Sequence, residues 1–118
     1  MRAVSWAAVK APLLIDWEQR EFAEVRPNIH GCTIVSADLT ISMYRYEAGS
    51  RWEEHRHPED QLTIVLSGEI AFRSGGDDLR LGPGGQLLIP GGVPHSATAG
   101  PTDVVTLNVW PPREPPSQ

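Results

Sequence analysis

The sequence predicts an all-β fold, a sandwich or barrel, and three observations predict it. Gly and Pro number 11 each in 118 residues and cluster at 82–85, 90–94 and 111–116, so turn punctuation recurs at short intervals. The segments between the clusters are short and alternate in polarity or are rich in β-branched residues. No amphipathic stretch reaches the ~10 residues of a convincing helix.

Residues 1–28 are the least regular part. Ala11 and Leu13 to Ile15 suit an edge strand, and Trp17 to Glu24 fits either a strand or a short helix. Thr33 to Val35 reads as a short strand. Leu39 to Tyr46 alternates, with Leu39, Ile41 and Met43 on one face and Thr40, Ser42 and Tyr44 on the other. Glu47 to Ser50 makes a turn. Gln61 to Leu66 is an apolar, β-branched strand that Ser67-Gly68 ends, and Glu69 to Arg73 follows it. Ser74-Gly75-Gly76-Asp77 is a hairpin turn, and Asp78 to Leu81 returns. Gln86 to Ile89 is stopped by Pro90-Gly91-Gly92, and His95 to Thr98 and Val104 to Trp110 complete eight or more strands. The tail 111–118 carries four prolines and is expected to fray.

The length fits one domain, taken as 1–118. Net charge is -5, with no basic stripe to displace phosphate counterions, which argues against a nucleic-acid partner. One cysteine, Cys32, excludes an internal disulfide framework. No run approaches the ~18 apolar residues of a membrane helix, and no export signal is evident, so no membrane partner is expected and the expected location is cytoplasmic.

Chemistry concentrates on the histidines, of which there are four: His30, His55, His57 and His95. In His55-Arg56-His57 the two imidazoles stand at i and i+2, which on a strand face the same side. Gln61 has the same parity and reaches the same point if the chain bends at Pro58. His95 opens a strand after Pro-Gly-Gly-Val-Pro and can enter from a neighbouring strand. A lone His-x-His is a weak motif, and a solvated surface pair is its plain alternative. His30 stands apart and is not assigned to a site.

The surrounding residues sharpen this. Gly49-x5-His55-x-His57-x3-Gln61-x6-Gly68, within 49–68, and Gly84-x5-Pro90-x-Gly92-x2-His95, within 84–95, resemble the two motifs of the cupin superfamily at almost every fixed position. The resemblance covers roughly Leu39 to Trp110. It implies a small antiparallel β-barrel or jelly roll with a metal at its centre, held by His55, His57, Gln61 and His95. The family's usual glutamate ligand is here Gln61, and an asparagine that often closes the second motif falls on Ala99. Losing the carboxylate leaves a divalent ion its full charge, which favours an anionic substrate or a bound hydroxide. A degenerate, metal-free site is the plain alternative.

His-x-His-Pro-x-x-Gln at 55–61 is similar to several small monodomain cupins. These are the pectin- and alginate-degradation cupins that open unsaturated uronates, the cupin hydroxynitrile lyases, and the polyketide-associated cupins proposed as cyclases; the cupin dioxygenases usually keep the glutamate. The first group's catalytic aspartate falls on Asn108, and an amide is no general base. Residues of inward parity near the ligands are taken as Thr63, Val65, Met43, Ile41 and Ala97. Tyr46, Trp52, Phe72 and Trp110 are candidates for the mouth. Catalytic candidates are Tyr44, Asn108 and Arg113, the last as a partner for a substrate carboxylate; Glu53, Glu54 and Glu59 are nominal acids or bases. Family analogy also implies a homodimer, with Trp6 and Trp17 suited to its seam.

The expected function is a metal-dependent lyase, isomerase or cyclase acting on a small carbonyl- or carboxylate-bearing molecule. One divalent ion, Zn, Mn, Fe, Ni or Co, is its cofactor. An iron-dependent dioxygenase and a non-catalytic small-molecule-binding module are the alternatives.

Overall fold

The computed structural model describes residues 4–5 and 10–112. They form eleven strands: β1 (Val4–Ser5), β2 (Ala23–Arg26), β3 (Ile29–Val35), β4 (Thr40–Tyr46), β5 (Arg51–His55), β6 (Gln61–Ser67), β7 (Ile70–Ser74), β8 (Asp77–Leu81), β9 (Gln86–Ile89), β10 (His95–Ala99) and β11 (Val104–Trp110). The one helical element among these residues is a 3-10 turn, Trp17–Gln19, whose N-terminus the Asp16 carboxylate caps at Glu18 N–H.

Two sheets make the barrel. One runs β1-β3-β4-β11-β6-β9, with β2 also on β3; the other runs β5-β10-β7-β8. All pairings are antiparallel except β1 on β3. The β7–β8 hairpin turns on Gly75 and Gly76, with φ of 58° and 89°, the pair of left-handed residues such a two-residue turn requires.

Register divides the larger sheet into rows. Thr33, Ser42, Asn108 and Thr63 stand side by side on the inner face. One pleat further, Gly31, Tyr44, Thr106 and Val65 do the same. Gly31 has no choice there, because a Cβ on it would fall 2.6 Å from the Tyr44 ring. Along the barrel the interior changes character. At one end Ile29, Tyr46, Val65, Ile70, Ala99 and Val104 are packed and buried; each fully buried aliphatic side chain contributes roughly 1.5–3 kcal/mol. At the other end the inward residues are polar: Ser42, Thr63, His95 and Asn108, none more than 2% exposed.

Several expectations change. Residues 11–15 form no strand; the edge strand is β1, and β2 begins only at Ala23. β5 is a strand that the turn-rich reading did not separate. Met43 and Ile41 face outward, not inward. They lie in rows with Leu107 and Ile64, and with Val109 and Leu62. Polarity misleads here because the outer face is apolar too: the segment carrying Leu14, Ile15 and Trp17 shares a cleft with Met43 and Val105. Cys32 is buried on this face, and burial pushes its thiol pKa up against the pull of Arg20 and Arg45. Trp6 and residues 113–118, with Arg113, lie outside the described residues.

Candidate metal centre

A β-bulge aims the site. On β5, His55 pairs with His95 but Trp52 pairs with Ala97, so one extra residue sits between them. Strict alternation would turn Trp52 and His55 to opposite faces; the extra residue turns both inward. His57 lies past the strand's end, in a loop pinned by Gly92 N–H donating to the His57 carbonyl at 2.7 Å and by Gly91 N–H donating to Asp60 Oδ1 at 2.7 Å. The chain bends at Pro58, as the sequence required, and brings Gln61 against His57.

The ring nitrogens of His55, His57 and His95 converge, each within 4.8 Å of the others. Each Nδ1 lies 2.9 Å from a backbone carbonyl: Glu53 for His55, Glu59 for His57 and Val93 for His95. A carbonyl oxygen can only accept, so each Nδ1 carries the proton. A neutral imidazole then presents its Nε2 lone pair to the centre. His95 Nε2 is buried and has no partner among the described residues, an unsatisfied acceptor of the kind a ligand relieves.

Gln61 completes the set. Its Oε1 is 2.9 Å from His57 Nε2. Two lone pairs at that distance repel, and a cation held by both atoms would relieve this. The carboxamide is oriented from behind. Asn108 Nδ2 donates to the Ser42 carbonyl at 3.5 Å and to Thr106 Oγ1 at 3.0 Å, which turns Asn108 Oδ1 the other way. That oxygen accepts from Thr63 Oγ1 at 2.7 Å, and Thr63 Oγ1 accepts from Gln61 Nε2 at 2.8 Å. The relay leaves Gln61 Oε1 facing the histidines. The residues present therefore fit a divalent cation: three imidazoles and an amide oxygen suit several transition metals.

Electrostatics agree. Burial lowers the pKa of His55 and His95, more than their backbone hydrogen bonds raise it. His95, His57 and Arg26 push His55 down further, and His57 does the same to His95. Both rings are held in the neutral, ligating form. Glu59 Oε1 is 3.7 Å from His57 Nδ1, behind the ring and not in the centre.

The histidines floor a cavity of about 300 Å³. Tyr44, Tyr46, Trp52, Phe72 and Trp110 wall it, and Tyr44 meets Trp52 edge-on at 5.0 Å. Asn108 is 2% exposed and spends its amide in the relay. Glu53 and Glu54 are exposed, and no carboxylate lines the cavity among the described residues. His30 pairs with Arg45 on the outer face, apart from the centre. Arg26 and Arg56 stand at the mouth. Arg26 carries no sequence signal, because its aim depends on how β2 meets β3.

The comparisons agree with this geometry. The cupin-domain family matches residues 42–110. Dimethylsulfoniopropionate lyase DddQ of Ruegeria pomeroyi is 30% identical over 81 residues, 68% of this chain but 40% of that protein; the match thus spans less than half of the lyase. The structure of KdgF from Halomonas sp. superposes with a TM-score of 0.81 at 23% identity, covering 88% of this chain and 96% of that one. The polyketide cyclase RemF of Streptomyces resistomycificus gives 0.80 at 19% identity, covering 90% and 83%. Barrel, motif spacing and family match converge: the chain belongs to the cupin family.

Proposed function

We propose that the chain is a metal-dependent enzyme of non-redox type, a lyase, isomerase or cyclase, acting on a small carbonyl- or carboxylate-bearing substrate. His55, His57, His95 and Gln61 are the proposed ligands of one divalent transition metal ion. The observation that carries this reading is the convergence of three Nε2 lone pairs beside a fixed amide oxygen, in a cavity that no carboxylate lines among the described residues.

A divalent ion bound there supplies a Lewis acid for a substrate carbonyl or a developing oxyanion. The chain's own residues do the remaining work. The aromatic walls take the substrate's carbon body and exclude water, which strengthens every charge interaction inside. The neutral ligand set spends none of the ion's charge. Tyr44 is the proposed proton carrier, because it reaches the cavity without belonging to the ligand set. Asn108 acts by holding Gln61 and not as an acid or base. The names of two relatives, a lyase and a cyclase, are in keeping with this class. A second copy of the chain is the proposed protein partner.

Elemental analysis of protein purified without a histidine tag tests the reading. About one equivalent of a single transition metal per chain is the expected result, and zinc fits the non-redox class best. Iron together with iron-dependent oxygen uptake would move the assignment to a dioxygenase. No metal after incubation with each ion in turn would reject the centre and leave a binding module.

A further inference from the structure

The cavity has a cationic mouth that the ligand set does not explain. β2 pairs with β3 as Ala23 with Gly31 and Glu24 with His30, then as Arg26 with Ile29. The slip makes Val25 an extra residue. Two consecutive side chains therefore turn toward the barrel: Val25 packs on the core and Arg26 reaches the cavity. A bulge beside a cavity re-aims a side chain in this way.

Arg26 is held once it arrives. Its Cζ lies 4.9 Å from the centroid of the Trp52 ring, and one Nη1 proton goes to the Val25 carbonyl at 2.7 Å. Trp52 in turn lies 5.7 Å from the His55 ring. The guanidinium thus stands one aromatic ring away from the histidine centre. It has five N–H donors, and among the described residues no carboxylate is within ion-pair distance of it. The indole N–H of Trp52 is also buried without an acceptor among the described residues. Arg26 is exposed, so water satisfies its remaining donors in the free protein, and with no acidic wall among the described residues those donors are open to a ligand oxyanion.

We propose that Arg26 is the specificity-determining residue of this cavity, and that its substrate is a small organic oxyanion, a carboxylate or a phosphate ester. The charged group pairs with the Arg26 guanidinium while the rest of the molecule spans the aromatic wall to the histidines. This rests on the active-site reading above for the catalytic end, but not for the anion end. A cavity of about 300 Å³ limits the substrate to a small metabolite. The stack on Trp52 matters because a guanidinium fixed in place loses less freedom when it pairs.

The test is calorimetric titration with benzoate, with its neutral isostere benzamide, and with inorganic phosphate. It is run on wild type, Arg26→Gln, Arg26→Lys and Arg56→Gln, each with zinc added and again after chelation. Wild type is expected to prefer benzoate to benzamide. Arg26→Gln should weaken benzoate by on the order of tenfold, since the site is at the mouth and partly screened. Benzamide should change by less than about twofold, and Arg26→Lys should recover part of the loss. A tighter, equally Arg26-dependent phosphate assigns a phosphate ester; a tighter benzoate assigns a carboxylate. If Arg26→Gln binds benzoate as wild type does, or if Arg56→Gln alone carries the loss, the proposal is overturned. The zinc-added arm separates the two readings: failure of added zinc to bind, with the Arg26 dependence of benzoate intact, defeats the metal centre alone.

Discussion

At the scale of single residues, the centre depends on which nitrogen of each imidazole is free. Three backbone carbonyls hold the three Nδ1 protons, so truncating one ring removes a ligand without disturbing a strand. His55→Ala or His95→Ala should lose bound metal while circular dichroism stays that of the native barrel; full metal in either variant would refute the ligand assignment. Thr63 is buried and links Gln61 to Asn108. Thr63→Val keeps the shape but removes the shorter of the two contacts that hold the carboxamide, leaving it only the 3.4 Å bond to Asn108 Oδ1. Metal affinity, read by competition with a chelator, should fall roughly tenfold to a hundredfold. The lowered pKa values of His55 and His95 also set a sign. The unfolded chain takes up protons near pH 6.5 that these rings, when folded, resist. Stability of the metal-free protein is therefore full above about pH 6.5 and falls as pH drops below it. Urea unfolding midpoints from pH 8 to 5 check this, and a midpoint that rises on acidification would contradict it.

Elements enter through their irregularities. Regular alternation would point Trp52 and His55 to opposite faces, and the β5 bulge overrides it. The β9–β10 turn has a second duty, because it clamps the loop that carries His57. Gly91 packs so closely that a Cβ would fall 2.0 Å from the Pro58 carbonyl oxygen, and backbone there cannot move aside without taking His57 with it. Gly91→Ala should lower stability by about 1–3 kcal/mol and weaken metal binding as well. Thermal melts with and without added zinc measure both losses, and a variant that melts lower but binds zinc unchanged would uncouple the turn from the site.

On the scale of the whole molecule, the larger sheet is apolar on its outer face as well as at the packed end of its inner face. Its outer face carries Ile41, Val109, Leu62 and Leu88 in one row across four strands, and Leu88 is 66% exposed. A row of this kind is what an interface between copies covers. Light scattering on the purified chain should give a dimer, and Leu88→Glu should shift it toward monomer. A monomeric wild type would leave Leu88 a solvated edge residue. Trp17, expected at a dimer seam, packs against Phe22 with ring centroids 6.4 Å apart and stays half-buried.

Local information settled much of the fold. Gly and Pro punctuation and residue alternation were enough for the strands from Thr40 to Trp110 other than β5, because turn chemistry and pleat act over a few residues. Motif spacing was enough to nominate His55, His57, Gln61 and His95. Those four share a bend at Pro58 or a turn before His95, and both are written locally. Tertiary structure alone decided three matters. Which face of β4 points inward depends on what covers the outside, so Ser42 and Tyr44, not Ile41 and Met43, look into the barrel. The orientation of the Gln61 amide depends on Asn108, 47 residues away. The aim of Arg26 depends on a slip in pairing between β2 and β3. Each is a matter of register between segments, and register is fixed by packing of whole sheets, to which no single stretch of sequence has access.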